Sequence, residues 1–273
     1  MMKLLSTALL LLFPGLLSAQ LPDDRVAFND GEELTYMVSY RAKLVPNTEV
    51  ARVVFRTTRE NVGAVPTYRI YANARCLKFF NWFFALDDTY NTWLSVNTLR
   101  PVQFSSNLSE GDYRFNSFFS YNWGLMEVNT RYRNPKRHAE EQRRTLALSR
   151  DSYDGVALFY NLRARDVSEF TEGEPMTLNL LMEDTIRQVT YRYLGREEKQ
   201  VKGLGKVKTL KFSLLLVTSS GESFDDGTEL FLWISDDRNK IPVLVETPIK
   251  VGSVRVRLAK YKNLKYETES FSK

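Results

Sequence analysis

The chain contains one histidine, His138, and one cysteine, Cys76. A catalytic thiol or hydroxyl needs a base close by, and a structural zinc site needs about four nitrogen or sulfur ligands. The two residues lie far apart in sequence, and no Gly-x-Ser-x-Gly elbow occurs. We therefore predict no catalytic residues, no metal site and no cofactor, and we interpret Cys76 as a small buried apolar residue.

Adjacent carboxylates are the remaining candidates for acid/base chemistry. They occur at Asp87-Asp88, Asp225-Asp226 and Asp236-Asp237. Consecutive side chains of a strand point to opposite faces, and the last two pairs lie in sequences typical of turns. We expect structural roles for all three pairs. Two acids from different strands could still face each other across a cleft about 5–10 Å wide and act as acid and base. A glycan-binding or glycan-cleaving function is therefore kept as a less favoured alternative.

A dense aromatic segment is the main candidate for ligand binding. The stretch RCLKFFNWFFALDD carries five rings, and they are Phe79, Phe80, Trp82, Phe83 and Phe84. A short helix here would be apolar nearly all round, so we expect it to be buried against the concave face of a curved sheet. The rings would fill the core, line an apolar pocket or insert into a membrane surface.

A second candidate is a basic segment within residues 131–150. Its hypothetical headgroup or partner patch consists of Arg131, Arg133, Lys136, Arg137, Arg143 and Arg144. Such a run is typical of a solvated face, and it is also suited to anionic lipid headgroups or an acidic partner protein. The net charge is +5 for the whole chain, which is too mild to indicate nucleic acid.

The first residues are typical of a signal peptide. Lys3 precedes an apolar stretch, residues 4–17, and the small residues Ser18 and Ala19 then form a plausible cleavage site. We predict that residues 1–20 are removed and that residues 21–273 form a single exported domain, periplasmic or secreted. No segment of this mature chain is apolar and long enough to span a membrane.

Most of the mature chain alternates between apolar and polar residues with period two, which predicts strands. So many strands joined by short turns favour a mainly β fold, with a curved antiparallel sheet that forms a half-barrel or open barrel, in one sheet or two. One or two short helices would lie against its concave face. The predicted strands are 34–40, 49–58, 67–74, 90–96, 102–107, 112–121, 125–133, 176–182, 186–194, 197–202, 206–218, 228–235, 241–247 and 254–258.

One helix is predicted from its start signal. Asp151-Ser152 can cap a helix whose body is 153–163, because Asp and Ser accept hydrogen bonds from the first free backbone amides.

Several landmarks follow one another along nearly the whole mature chain. They are Phe28-x-x-Gly31-Glu32-x-Leu34-x-Tyr36, then Asp88 and Tyr90 with Thr98-Leu99-Arg100-Pro101, Asp154-x-x-Ala157-x-x-Tyr160-x-x-Arg163, Gly205-Lys206-Val207-Lys208-Thr209, Trp233-x-Ser235-Asp236-Asp237 with Pro242, and Gly252 with Leu258. In this order they resemble a family of exported bacterial proteins, domain of unknown function thirty-one hundred and eight (DUF3108). The resemblance implies no activity, and so dense an aromatic cluster is not expected in every member. A looser likeness to the periplasmic lipoprotein carriers LolA and LolB implies a half-barrel around an apolar cavity.

The favoured hypothesis is a non-enzymatic cell-envelope protein that holds a lipid, an acyl chain or another apolar moiety in the concavity of its sheet. The main alternative is a structural or scaffolding envelope protein, in which the rings are core and the function lies in protein contacts.

Overall fold

The computed structural model of the chain describes residues 25–43, 45–80, 85–136, 140–182, 185–216, 228–249 and 252–272. The predicted signal peptide lies outside these ranges, as do His138 and the Asp225-Asp226 pair. Within them, no helix is long and apolar enough to cross a bilayer.

The described residues form sixteen strands, one α-helix and one short 3-10 helix. The α-helix, α1, spans Gly155–Ala164, and the 3-10 helix spans Val167–Glu169. The strands are β1 Glu33–Ala42, β2 Val45–Val62, β3 Val65–Cys76, β4 Asp87–Ser95, β5 Pro101–Glu110, β6 Tyr113–Asn122, β7 Glu127–Arg133, β8 Gln142–Ala147, β9 Ser152–Asp154, β10 Pro175–Met182, β11 Thr185–Val201, β12 Gly205–Leu216, β13 Thr228–Ser235, β14 Pro242–Pro248, β15 Ser253–Lys262 and β16 Phe271–Ser272.

All these strands belong to one curved sheet, in the order β8-β7-β6-β5-β4-β3-β2-β1-β15-β14-β13-β12-β11-β10-β9, with β16 paired to β12. Neighbouring strands run antiparallel except β9 and β10, which are parallel. Because β8 and β9 end the path, the sheet is open and does not close into a barrel. The predicted mainly β fold with a half-barrel or open sheet is therefore confirmed.

The sheet curls because its apolar faces meet around α1. Phe55 of β2 stacks on Phe159 of the helix, with ring centroids 4.9 Å apart. The hydroxyl of Thr57 donates to the hydroxyl of Tyr160 at 3.2 Å. The helix also contacts β4, β9 and β10, so it covers part of the concave face and joins the β9 end of the sheet to strands farther along the path.

The helix begins later than the sequence predicts. Asp151 precedes β9, and Ser152 to Asp154 are extended and pair with β10. Asp154 is the actual N-cap, because its carboxylate accepts hydrogen bonds from the amides of Val156 and Ala157. The predicted cap at Asp151-Ser152 is therefore wrong by two to three residues, since strand pairing competes with the local capping signal.

The other differences concern strands with weak patterns. Residues predicted as two strands, 186–194 and 197–202, form the single strand β11, which carries a bulge between Tyr193 and Arg196 next to Gly195. The sequence also did not predict β8 and β9. β8 is polar on both faces along much of its length, and β9 is only three residues long, so neither carries an alternating signal.

Gly252 shows where the fold requires glycine. Its φ is +96°, and an added Cβ would lie 2.1 Å from the carbonyl oxygen of Arg41 in β1. Gly63 is a matched control, because its φ is +59° but nothing lies within 4 Å of the added Cβ. We expect Gly63→Ala to cost about 1–2 kcal/mol for the left-handed backbone alone. We expect Gly252→Ala to cost about 1–3 kcal/mol more. Urea unfolding of both variants measures the difference, and equal losses would contradict the contact with β1.

Candidate ligand-binding site

Aromatic rings line the concave face of β4 to β7, and we call five of them the aromatic wall: Tyr90, Phe104, Phe115, Phe119 and Tyr132. Phe104 stacks on Phe119 at 5.0 Å, and Phe115 stacks on Tyr132 at 5.9 Å. Tyr90 lies 6.5 Å from Phe104. Cross-strand neighbours share a face, so the register that places Phe104 opposite Phe119 brings these rings together.

The aromatic wall extends beyond the part of the concave face that α1 covers. Phe104 and Phe119 pack with Leu181 of β10. Phe115 and Tyr132 cluster with Leu108, and the described members of that cluster all come from β4 to β7. This end of the wall lies toward the rim where β3 ends and the aromatic segment begins.

The basic segment is split between the two faces of the sheet. Arg144 on edge strand β8 lies opposite Thr130, and its guanidinium is 5.8 Å from the Tyr132 ring, on the concave side. Arg131 and Arg143 face each other on the outer side, and Arg133 follows Arg131 by two residues on the same face. Lys136 lies in the turn after β7, and Arg137 lies outside the described residues. The structure therefore brings one predicted arginine, Arg144, next to the aromatic wall.

The aromatic segment itself is described only as far as Phe80. Lys78 to Phe80 form a turn, in which the Phe80 amide donates to the carbonyl of Leu77 and the Leu77 amide donates to the carbonyl of Val50, and the predicted short helix stays a prediction. Phe79 is 75% exposed, and its ring meets that of Phe80 edge-on at 5.1 Å. Trp82, Phe83 and Phe84 lie outside the described residues, so pocket formation by these rings stays a prediction.

A buried ion pair joins the segment before β1 to α1. Arg163 and Glu32 are both fully buried and form two hydrogen bonds, of 2.6 and 2.8 Å. The guanidinium also donates to the carbonyl oxygens of Ala27 and Asn239, both at 3.1 Å. Every face of this pair is occupied by protein, so its role is structural. In the sequence, both residues were singled out only as members of the landmarks that carry the family resemblance.

A second buried carboxylate, Asp154, ties α1 to the facing strands. It accepts hydrogen bonds from the hydroxyls of Thr92 at 2.9 Å and Tyr121 at 3.2 Å, besides the two helix amides. Burial raises the pKa of Asp154 to about 6, although these hydrogen bonds favour the ionised form. Its contacts are all within the fold, so we assign it a structural role.

The adjacent carboxylates that the structure describes do not form acid couples. Asp87 pairs with exposed Arg75, whose hydrogen bond lowers the pKa of Asp87, whereas Asp88 is buried and accepts from the Ser109 amide. Asp237 accepts hydrogen bonds from the amides of Asn239 and Lys240, as the predicted turn role requires.

The one thiol is only partly buried. Cys76 lies at the end of β3, and burial raises the pKa of its thiol, which disfavours the reactive thiolate. Within the described ranges, no group of three or more His, Cys, Asp or Glu side chains is placed to hold a metal ion.

Comparisons with known proteins place the chain in a family and agree with the fold. The family model described as "Protein of unknown function (DUF3108)" matches residues 35–259. No curated protein matches the chain.

Among solved structures, the chain is similar to a β-barrel-like protein of domain of unknown function DUF1849 from Brucella abortus. The TM-score is 0.59 at 12% sequence identity, and the match covers 88% of this chain and 100% of the other. That likeness shows the fold alone. The suggested likeness to LolA and LolB stays a prediction.

Proposed function

The chain belongs to the DUF3108 family, which supplies no activity, and we propose that it is a non-enzymatic cell-envelope protein that binds a lipid or another apolar moiety in the concavity of its curved sheet. The observation that carries this proposal is the aromatic wall. It places five rings on one face of four neighbouring strands, near the rim that carries exposed Phe79. Phe104, Phe115, Phe119 and Tyr132 are only 1–7% exposed, so a ligand would bind by displacing the side chains that now cover these rings.

Arg144 gives the concave site a polar end. It lies on the open edge of the sheet, on the same face as the aromatic wall and next to Tyr132. An apolar chain along the rings would therefore end beside a guanidinium, which is suited to a carboxylate or phosphate headgroup. The proposed ligand is an acyl chain with an anionic head.

Hydrophobic burial would supply the binding free energy. An acyl chain of about 14 carbons offers on the order of 10 kcal/mol at about 0.8 kcal/mol per methylene, before the cost of ordering the chain. This gross free energy exceeds the roughly 8 kcal/mol that micromolar binding requires.

The arrangement of charged groups supports a role without catalysis. Among the described residues, the buried acidic side chains Glu32 and Asp154 are engaged by arginine, backbone amides and hydroxyls inside the fold, and Asp88 accepts from the Ser109 amide. A general acid or base has to reach a substrate proton, and neither Glu32 nor Asp154 faces a groove.

Native mass spectrometry tests the proposal. The protein is exported from a bacterial host, purified without detergent and sprayed intact, and whatever co-purifies is extracted with organic solvent. We expect a discrete lipid-sized adduct. In Arg144→Gln we expect the affinity for a fatty acid to fall about tenfold or more, the usual contribution of a hydrogen bond to a charged group.

Arg143→Gln is the matched control, because Arg143 precedes Arg144 on β8 but points to the outer face. It removes the same charge and should leave lipid uptake unchanged. A clean apo mass, under conditions that keep a known lipid carrier loaded, would reject the proposal and favour a scaffolding role. Equal losses in the two variants would reject the assigned orientation of the ligand.

A further inference from the structure

The outer face of β6 to β8 carries an arginine cluster, defined as Arg131, Arg133 and Arg143. Arg131 and Arg143 lie directly opposite each other on β7 and β8. Within the described residues, no carboxylate forms an ion pair with Arg131 or Arg133, and Arg143 has one exposed partner, Glu141, at 3.0 Å. The cluster therefore carries an excess of positive charge.

Many basic residues on the exposed strand faces are paired with acids. Arg257 and Lys202 share Glu49, Arg255 meets Glu246 at 2.5 Å, and Arg56 meets Glu33 at 2.9 Å. Arg196 pairs with Asp236 at 2.8 Å, and Arg75 pairs with Asp87 at 2.8 Å. The arginine cluster differs from these pairs because Arg131 lies directly opposite a second arginine, and its positive charge is only partly offset by Glu141.

The geometry of the cluster suits a phosphate group. An open groove of about 500 Å³ runs along Arg131 and Arg143 and around the edge strand β8 to Thr130 and Arg144, and its other polar lining residues are Ser120, Asn129 and Thr145. Like charges directly opposite each other on neighbouring strands repel, and a bound anion between the two guanidiniums would offset that repulsion. Arginine forks and hydroxyl groups are the usual donors to phosphate oxygens.

We propose that the arginine cluster docks this protein onto an anionic phospholipid surface, with lipid phosphates seated in the groove between Arg131 and Arg143. This goes beyond the proposed function, because docking needs no cargo in the concavity. The cluster borders edge strand β8, so a docked protein has the open edge of its sheet at the lipid surface.

A membrane fits this face better than a protein partner does. Tight protein interfaces are built around buried aromatic or apolar anchors. The one ring lining the groove, Phe118, is covered by the Arg131 guanidinium at 4.5 Å from its centroid, so it offers no free apolar face. A surface of polar side chains with an excess of guanidiniums over carboxylates is instead typical of electrostatic attraction to anionic lipids.

Vesicle co-sedimentation tests the docking. The probes are phosphatidylcholine vesicles with and without about one-third phosphatidylglycerol, a content within the range for anionic membranes. We expect the wild-type protein to bind the anionic vesicles only, and to be released as the salt concentration rises to about 0.5 M. The double variant R131S/R143S should bind about 25-fold more weakly, at about fivefold per arginine.

The double variant R56S/R196S is the matched control, because it removes two exposed arginines that already have carboxylate partners. It lowers the net charge by the same amount and should retain vesicle binding. Equal loss in both double variants would overturn the proposal by assigning binding to net charge. The docking proposal is also overturned if the wild-type protein does not bind anionic vesicles. If it then binds a polyglutamate resin instead, the arginine cluster is a site for an acidic protein.

These outcomes separate docking from lipid uptake. R131S/R143S leaves the concave face intact, so the adduct seen by native mass spectrometry should persist in it. A wild-type protein that binds vesicles but carries no adduct would reject the proposed function and leave the docking in place.

Discussion

Replacing Arg163 by methionine is expected to destabilise the fold by about 3–5 kcal/mol. The change leaves the carboxylate of Glu32 buried without its partner, and both side chains have no exposed surface in the wild-type protein. It also removes the donor to the carbonyl oxygens of Ala27 and Asn239, which tie the chain start and the β13–β14 turn to α1. Urea unfolding followed by tryptophan fluorescence measures the loss.

The neighbouring pair of Glu33 and Arg56 supplies the control. Its side chains are 27% and 57% exposed, so Arg56→Met should cost less than about 1 kcal/mol. A double variant, Glu32→Leu with Arg163→Met, should recover most of the loss, because no unpaired charge then stays buried. If Arg163→Met unfolds within about 1 kcal/mol of the wild-type protein, the ion pair does not hold these segments together.

The strands could be predicted because their signal is local. In β15, Val254, Val256 and Leu258 alternate with arginines, and this alternation alone indicates a strand with one face turned to the core. The same reasoning fails for β8, where Arg143, Arg144 and Thr145 are all polar, so that only pairing with β7 identifies the strand.

The contacts that close the fold could not be predicted in this way. Glu32 and Arg163 are 131 residues apart, and their meeting depends on how far the sheet curls. The same holds for the aromatic wall. Phe104, Phe115 and Phe119 are recognisable as strand aromatics, but whether they share a face depends on the register between β5 and β6.

The predicted basic segment shows this limit within the candidate site. Arg143 and Arg144 are adjacent in sequence, and period-two geometry places them on opposite faces as soon as they lie in a strand. Because β8 was not predicted, the patch could not be divided in advance into an outer cluster and a concave arginine.

The second large effect concerns pH and Asp154. Relative to Asp154→Asn, the wild-type protein should lose about 3 kcal/mol of stability between about pH 4 and pH 6, because its pKa rises from 3.8 to about 6 on folding. Between these values the folded state binds a proton that the unfolded state has released, so the free energy of unfolding falls as the pH rises. Above about pH 6 the difference should level off, because Asp154 is then ionised in both the folded and the unfolded state of the wild-type protein.

Urea unfolding of both proteins at pH 4, 5, 6 and 7 measures this, and titration of His138 cancels in the difference. Asparagine keeps an oxygen that can accept from the amides of Val156 and Ala157, so the helix cap should survive. Asp87→Asn gives the opposite sign, because the Arg75 hydrogen bond lowers the pKa of Asp87 and its contribution is lost only as the pH falls through the acid range. A pH-independent difference for Asp154→Asn would mean that the hydrogen bonds from Thr92, Tyr121 and the helix amides outweigh burial, and that Asp154 stays ionised throughout.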